Sequence, residues 1–378
     1  MRMKRHCIAL GLGLAVAIAW TAGRPGEIPF ARHEIDLGAS ESCAAADLNG
    51  DGRIDLISGE NWFEAPHWTR HKFRNLPYQG GYIDNFSDLP LDVNGDGRID
   101  IVSCSWFSKR LIWEENPARA AGMWKEHMIE SGSPVEFAFL VDLDNDGKAH
   151  EVLPQFGAAT MSVTWYEAKG GTFSKHVVGT GGQGHGIGAG DVNGDKRNDV
   201  ITPKGWFEAP ADPRAGDWKW HPDFDLGATG FIFAVDVNGD GRNDLVTSMA
   251  HDYGVFWVEH GADGKWTKHM IDDTWSQAHA MSMVDLNGDG RPDFITGKRY
   301  MAHDHDPGAR EPLGVYWYEF RKNDAGQVEW IKHLIDYSSR AGGGMQIPVL
   351  DLDRDGDLDL AVAGKSGLFL FENLTKRK

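Results

Sequence analysis

Cysteine, positive charge and long apolar runs are scarce in this sequence. Three cysteines in 378 residues cannot staple a disulfide scaffold. Cys7 falls in the first apolar run, and Cys43 and Cys104 read as two buried free thiols rather than a pair. Lys and Arg number 38 against 56 Asp and Glu, a formal charge of −18. That balance excludes nucleic acid as a general partner, because phosphate binding needs a basic surface. No segment beyond the first apolar run approaches the roughly 20 residues of a membrane span. The nucleophile elbow, the HExxH helix, the P-loop and the dinucleotide fingerprint are all missing, which speaks against hydride and phosphoryl transfer.

The first residues have a different character. Arg2, Lys4 and Arg5 precede an uncharged run from Cys7 to Trp20, with Ala17 and Ala19 spaced as a small-x-small cleavage site. Residues 1–22 are therefore expected to be a signal peptide, leaving an exported protein, secreted, periplasmic or extracellular, with no stable span after cleavage.

Glycine and tryptophan are abundant, at 47 and 15 residues, and point to turns and aromatic strands. One acidic pattern recurs in register. Its copies are Asp47, Asn49, Asp51 and Asp55; Asp92, Asn94, Asp96 and Asp100; Asp191, Asn193, Asp195 and Asp199; Asp236, Asn238, Asp240 and Asp244; Asp285, Asn287, Asp289 and Asp293; and Asp351, Asp353, Asp355 and Asp359. A looser copy has Asp142, Asp144 and Asp146, with His150 at its ninth position and Glu151 after it, as a one-residue insertion would give. The first aspartates are 45, 50, 49, 45, 49 and 66 residues apart, the size of a four-stranded propeller blade.

Two further patterns keep this phase. An aromatic residue followed three places later by histidine gives His33, His71, His127, His176, His221, His269 and His333. An aromatic–glutamate element follows each acidic loop, as in Trp62-Phe63-Glu64 and Trp317-Tyr318-Glu319. Each unit thus offers strands A and B flanking the acidic loop, C with the glutamate and D with the histidine. The last unit lacks a D strand, and Phe30–Leu37 is an orphan D strand at the start. The expected fold is all-β: a single seven-bladed β-propeller over residues 28–374, with four-stranded blades, closed by the N-terminal strand completing the last blade. The repeated histidines are expected to make structural contacts between blades.

Oxygen side chains at positions 1, 3, 5 and 9 of a tight loop suit Ca²⁺, with a backbone carbonyl at position 7. An EF-hand would need glutamate at position 12, which holds Ser58, Ser103, Leu153, Thr202, Thr247, Thr296 and Val362. Several calcium ions are expected, riveting strand A to strand B. Lys196 replaces the glycine of the fourth loop, at a cost of about 1 kcal/mol if that backbone is left-handed. These loops resemble those of the VCBS and FG-GAP repeat families, a resemblance covering residues 30 to 373.

Function is expected in what does not repeat. In an A-B-C-D blade the D–A and B–C loops share one face. His185 and His279 stand six residues before the first aspartate of their loops, where Glu41 and Glu136 stand in other units. Lys204 and Lys298 end strand B on that face, and His251 follows close behind. An extended B–C loop carries Arg299, Tyr300, His303 and His305; loops of this length are usually functional. His185, His279, Lys298, Arg299, Tyr300 and Glu136 are the candidate catalytic residues. Lys204, His251, His303, His305 and Glu41 are the candidate substrate-binding residues. Two histidines with Glu41 or Glu136 can hold one further divalent metal, Zn²⁺, Mn²⁺ or Fe²⁺; the same groups can instead act as acid and base.

Gly184-His185-Gly186, Ala278-His279-Ala280 and Thr296-Gly297-Lys298-Arg299-Tyr300 resemble the propeller domain of the aldos-2-ulose dehydratase family. The resemblance implies removal of water from a keto-sugar, by proton abstraction α to a carbonyl and loss of a β-hydroxyl. Three readings stand at this point: a carbon–oxygen lyase on a keto-sugar or glycan, a non-catalytic propeller binding a glycan or a protein, and a purely structural or surface protein.

Overall fold

The computed structural model describes residues 27–117, 122–158 and 160–376. Residues 1–22, expected to be a signal peptide, lie outside them. Among the described residues no helix is long and apolar enough to cross a membrane.

The chain is an all-β propeller of antiparallel strands. Its first sheet runs Cys43–Ala46, Asp55–Ser58, Asn61–Glu64 and Thr69–Lys72. The next two start at the inner strands Ser87–Leu91 and Val135–Val141, and another at Ala278–Val284. A further sheet joins both ends of the described chain: Phe30–Asp36 pairs with Gly367–Asn373, which continues through Asp359–Gly364 to Val349–Leu350. A two-stranded ribbon, Tyr78–Gln79 with Tyr82–Ile83, interrupts the connection into the second sheet.

Seven separate four-stranded sheets were expected; among the described residues there are five, plus one of eight strands. The reason is local. Ile187–Gly190 pairs in parallel with Phe231–Val235, fusing two four-strand units at their inner edges. Glycine permits this approach: a Cβ on Gly188 would stand 1.9 Å from the Ile232 carbonyl oxygen.

Apolar side chains pack between neighbouring sheets. Ala44, Ile57 and Trp62 of the first meet Ile101 and Trp124 of the second, while Cys43, Leu56 and Phe63 meet Ala361, Leu368 and Leu370 of the sheet made from both chain ends. Cys43 and Cys104 are buried and unpaired, as expected.

The repeated histidines serve their own sheet rather than bridging blades. In each C–D pair from the first six units the histidine lies opposite the tryptophan: Trp62 faces His71 and Trp317 faces His333. The rings stack, with centroids 4.3 and 4.0 Å apart, and Nε2 reaches the neighbouring glutamate at 2.8 and 2.9 Å.

The acidic loops share one hydrogen-bond scheme. In the first, the Asp47 carboxylate accepts from the amides of Gly50 and Gly52, and Asn49 Oδ1 accepts from Asp51. The ninth residue, expected as a calcium ligand, makes two backbone hydrogen bonds of its own. Asp55 is buried, and its two oxygens accept from the amides of Leu48 and Ala65, tying the acidic loop to the end of strand C. Asp100, Asp199, Asp244, Asp293 and Asp359 repeat this clamp. In the third loop Glu151 takes the place, accepting from Leu143 at 2.9 Å. Lys196 is left-handed, with φ +69°, and its amide still donates to Asp191. In two loops, Asp142–Asp144–Asp146 and Asp351–Asp353–Asp355, three carboxylate oxygens lie within 4.8 Å of one another.

Candidate metal centre at the axial mouth

Three elements bring histidine to one point. His185 precedes the inner strand Ile187–Gly190. The side-chain amide of Gln155 donates to the Gly184 carbonyl at 2.8 Å, and Gly186, at φ +117°, has no room for a Cβ beside Thr229. His279 lies on the inner strand Ala278–Val284. Gly230 makes space beside it, since a Cβ there would stand 2.5 Å from the His279 carbonyl oxygen. His251 sits in the B–C turn after Asp244–Ser248, where the Ala250 amide donates to the Ala228 carbonyl. Glu136 comes from the inner strand of the third sheet.

Glu136, His185, His251 and His279 each offer a ligand atom within 4.8 Å of the others. The ring tautomers follow from the partners. His185 Nδ1 faces the Thr229 carbonyl at 2.8 Å and His251 Nδ1 faces the Asp306 carboxylate at 2.7 Å. Both partners only accept, so both Nδ1 atoms carry a proton, and in the neutral ring Nε2 is the lone pair. His279 Nδ1 faces the Gln277 carbonyl at 3.5 Å, and its Nε2 is buried with no hydrogen-bond partner among the described residues. Burial pushes the His279 pKa well below its ordinary value and that of His251 down to about 4, so both are neutral, the form that binds metal. Burial pushes Glu136 up, but His185 and Arg299 outweigh it and hold the carboxyl at about 2.

Arg299 is almost wholly buried between two acids. Its Nε donates to Glu41 at 3.1 Å and its Nη1 to Glu136 at 3.3 Å. Glu41 is raised by burial, against the pull of Arg299 and Lys365. Lys298 is also buried, donating to Ser276 Oγ at 2.8 Å, with Glu311 3.8 Å away. His303 stacks on His251 at 4.7 Å, and its Nδ1 lies 3.2 Å from the Tyr82 hydroxyl. Since that hydroxyl donates to the Ala302 carbonyl, His303 Nδ1 is the donor here and Nε2 is free to accept a proton.

The sequence-based set is thus only partly gathered. Glu41, Glu136, His185, His251, His279, Arg299 and His303 converge. His305 stacks on His303 at 5.6 Å but its side chain is exposed. Tyr300 and Lys204 are exposed, and Lys298 turns towards Ser276. Sequence reasoning missed Tyr82, Asp306 and Lys365. Lys365 Nζ donates to the Met301 carbonyl at 2.7 Å and lies 3.6 Å from the centre of the Tyr82 ring; burial lowers its pKa to about 8. Deeper along the axis, a cavity of about 450 Å³ is lined mostly by apolar side chains such as Phe139, Phe233, Met281 and Met283. The titratable side chains gather at the mouth instead.

Residues 236–296 match the model of the FG-GAP-like repeat. No curated protein sequence matches the chain. Among solved structures, BBS1N in complex with ARL6DN is similar at 9% identity and TM-score 0.55, covering 92% of this chain and 96% of that one. The β-propeller domain of Cps50 (Swd1) from Myceliophteria thermophila is similar at 11% identity and TM-score 0.52, covering 91% and 100%. A lectin of Agrocybe aegerita, described with non-reducing terminal N-acetylglucosamine, aligns at 18% identity and TM-score 0.46, covering 92% of each chain. The likeness to the first two structures shows a β-propeller fold, and the family model shows an FG-GAP-like repeat within it.

Proposed function

We propose that the axial cluster is a divalent-metal centre and that the chain is a carbon–oxygen lyase acting on a keto-sugar. One observation carries the metal. His279 Nε2 is buried without a donor in a cluster that also gathers Glu136, His185 and His251, with His185 Nε2 facing Glu136 Oε2 across 3.1 Å. Opposed acceptors in a buried site need a cation between them. A proton on His185 would satisfy one pair and leave His279 orphaned; one metal satisfies all four groups.

Three imidazoles and a carboxylate suit Zn²⁺, Mn²⁺ or Fe²⁺, which when bound would polarise a substrate carbonyl. The chain's own residues supply the rest. Arg299 holds Glu136 by its other oxygen. His303, neutral because burial lowers its pKa, takes the α-proton at Nε2. The C–O bond to the β-hydroxyl then breaks, and the same proton returns to that oxygen as water leaves. The assay is formation of an α,β-unsaturated ketone from 1,5-anhydrofructose by metal-loaded protein. Turnover lost in His279→Ala with the circular dichroism retained supports the reading; no turnover by metal-loaded wild type on any keto-sugar tested contradicts it.

A second reading, a glycan-binding propeller, has one specific feature in its favour. A cavity of about 610 Å³ beside Glu311 is walled by Trp275, Tyr316, Lys332 and the exposed Tyr337, an aromatic and charged lining of the kind that stacks on sugar rings. Saturable glycan binding without product would favour it.

The eight-stranded sheet is read as two fused blades, which gives seven blades in a ring closed by the strand Phe30–Asp36; the packing of both chain ends on the first sheet supports this. Calcium is assigned to positions 1, 3 and 5 of the acidic loops, which in the Asp142–Asp146 and Asp351–Asp355 loops bring three carboxylate oxygens together. Export of the chain rests on residues 1–22 and is tested by N-terminal sequencing of the mature protein.

A further inference from the structure

We infer that Asp306 is a positioning residue for the axial metal centre, so that the extended loop carrying it is part of the centre and not only its cover. The inference rests on the metal reading above. His251 and Asp306 come from different units and meet at 2.7 Å through Nδ1 and Oδ2, both side chains largely buried. A carboxylate accepting Nδ1–H fixes the histidine tautomer, fixes the ring orientation and raises the basicity of Nε2. Of the three cluster histidines, His251 alone takes this support from a carboxylate; His185 and His279 face carbonyls.

The loop is built to deliver Asp306. Its Met301 carbonyl is held by Lys365 and its Ala302 carbonyl by Tyr82, while the Ala302 amide donates to the Gln277 side chain. The Asp306 amide donates to the His303 carbonyl at 3.1 Å, closing a turn that points the carboxylate at His251. Asp304, two residues earlier, is exposed and pairs with Arg310 instead. The loop thus holds one carboxylate turned inward and one turned outward.

The test is a Co²⁺ titration of calcium-saturated full-length protein, followed by the cobalt absorption band. Wild type binds one Co²⁺ per chain at the cluster, and His279→Ala abolishes the band. Asp306→Asn keeps the side-chain shape but not the charge, and weakens Co²⁺ binding about 10–100-fold with stoichiometry unchanged. Asp306→Glu recovers most of the affinity, and Asp304→Asn leaves it unaltered. Equal affinity in wild type and Asp306→Asn overturns the inference while leaving the centre standing. An equal loss in Asp304→Asn also overturns it, because loop order would then be the cause. Two Co²⁺ in wild type falling to one in Asp306→Asn would make Asp306 a ligand, with His303 and His251, and overturn it as well. No Co²⁺ band in wild type overturns inference and centre together.

Discussion

His185 Nε2 stands 3.1 Å from Glu136 Oε2 while its Nδ1 faces the Thr229 carbonyl at 2.8 Å, so without a metal the pair is satisfied only by a second proton on the ring. A buried contact between acceptors is unfavourable unless a proton or a metal cation joins it. Glu136→Gln supplies a donor in place of the second oxygen, while Oε1 can still accept from Arg299. The metal-free variant keeps this hydrogen bond but loses a charge partner of the buried Arg299, so it should melt below the metal-free wild type. The rise in Tm on adding Zn²⁺ should be lost. Differential scanning fluorimetry with and without the ion reads both; a variant that keeps the full rise contradicts Glu136 as a ligand.

The fused sheet makes a sharper prediction about stability. Gly188→Ala puts a methyl group into the Ile232 carbonyl, a backbone neighbour that cannot rotate away. A loss of about 2 kcal/mol or more is expected in urea unfolding, in the range of strain and overpacking. Gly181→Ala is the contrast: that position is left-handed but open, so the cost should be nearer 1 kcal/mol.

The tryptophan–histidine–glutamate units should differ in worth according to burial. His333 is nearly buried, stacks on Trp317 and pairs with the buried Glu319, so His333→Ala should cost about 1–3 kcal/mol. His33 is half exposed and pairs with Glu372, so His33→Ala should cost less than about 1 kcal/mol. Equal losses in the two variants would refute the ranking.

Asp272 gives a pH dependence with a defined sign. Burial pushes its carboxyl up, but Lys332, Thr274 and Tyr318 outweigh that and hold it at about 2. A folded pKa below the unfolded value of about 3.9 means stability that is full above pH ~4 and is lost as pH falls through about 2. After discounting for partial solvent screening the contribution is about 1–2 kcal/mol. In Asp272→Asn the pH 7 stability drops by that amount and the slope between pH 4 and 2 flattens. An unchanged slope contradicts the assignment.

Chelation tests the acidic loops. A site occupied at a hundredfold excess over Kd contributes about 2.7 kcal/mol, so EGTA should lower Tm in wild type and less so in Asp351→Asn/Asp353→Asn. An EGTA-insensitive Tm would leave the loops as hydrogen-bonded turns alone.

Much of the fold was legible because it repeats. Aspartate at position 1, glycine at position 6 and tryptophan opposite histidine each recur at fixed spacing, and spacing is what a sequence displays. The Gly186, Gly188, Gly190 alternation was the available sign of the fused sheet, since a strand without side chains on one face lets a second backbone approach. The site was half legible. His185, His279 and Glu136 stand at equivalent places on inner strands, so phase alone brought them together. His251 was seen but given to the substrate, because the turn that aims it depends on hydrogen bonds to Ala228 and Gly254 that no periodicity encodes. Tyr82, Asp306 and Lys365 lie in the ribbon, the extended loop and a tight turn, where conformation is set by tertiary contacts. The clamp made by the ninth-position aspartates was hidden for a related reason: their partners on strand C are 10 to 27 residues away, beyond the loop that defines the motif.

The most direct test of the central claim is elemental analysis of the purified protein beside the His185→Ala/His279→Ala double variant. The account predicts about one equivalent of Zn, Mn or Fe in wild type and none in the variant, with calcium equal in both. Transition metal absent from wild type, or present equally in both proteins, would contradict a metal centre at the axial mouth.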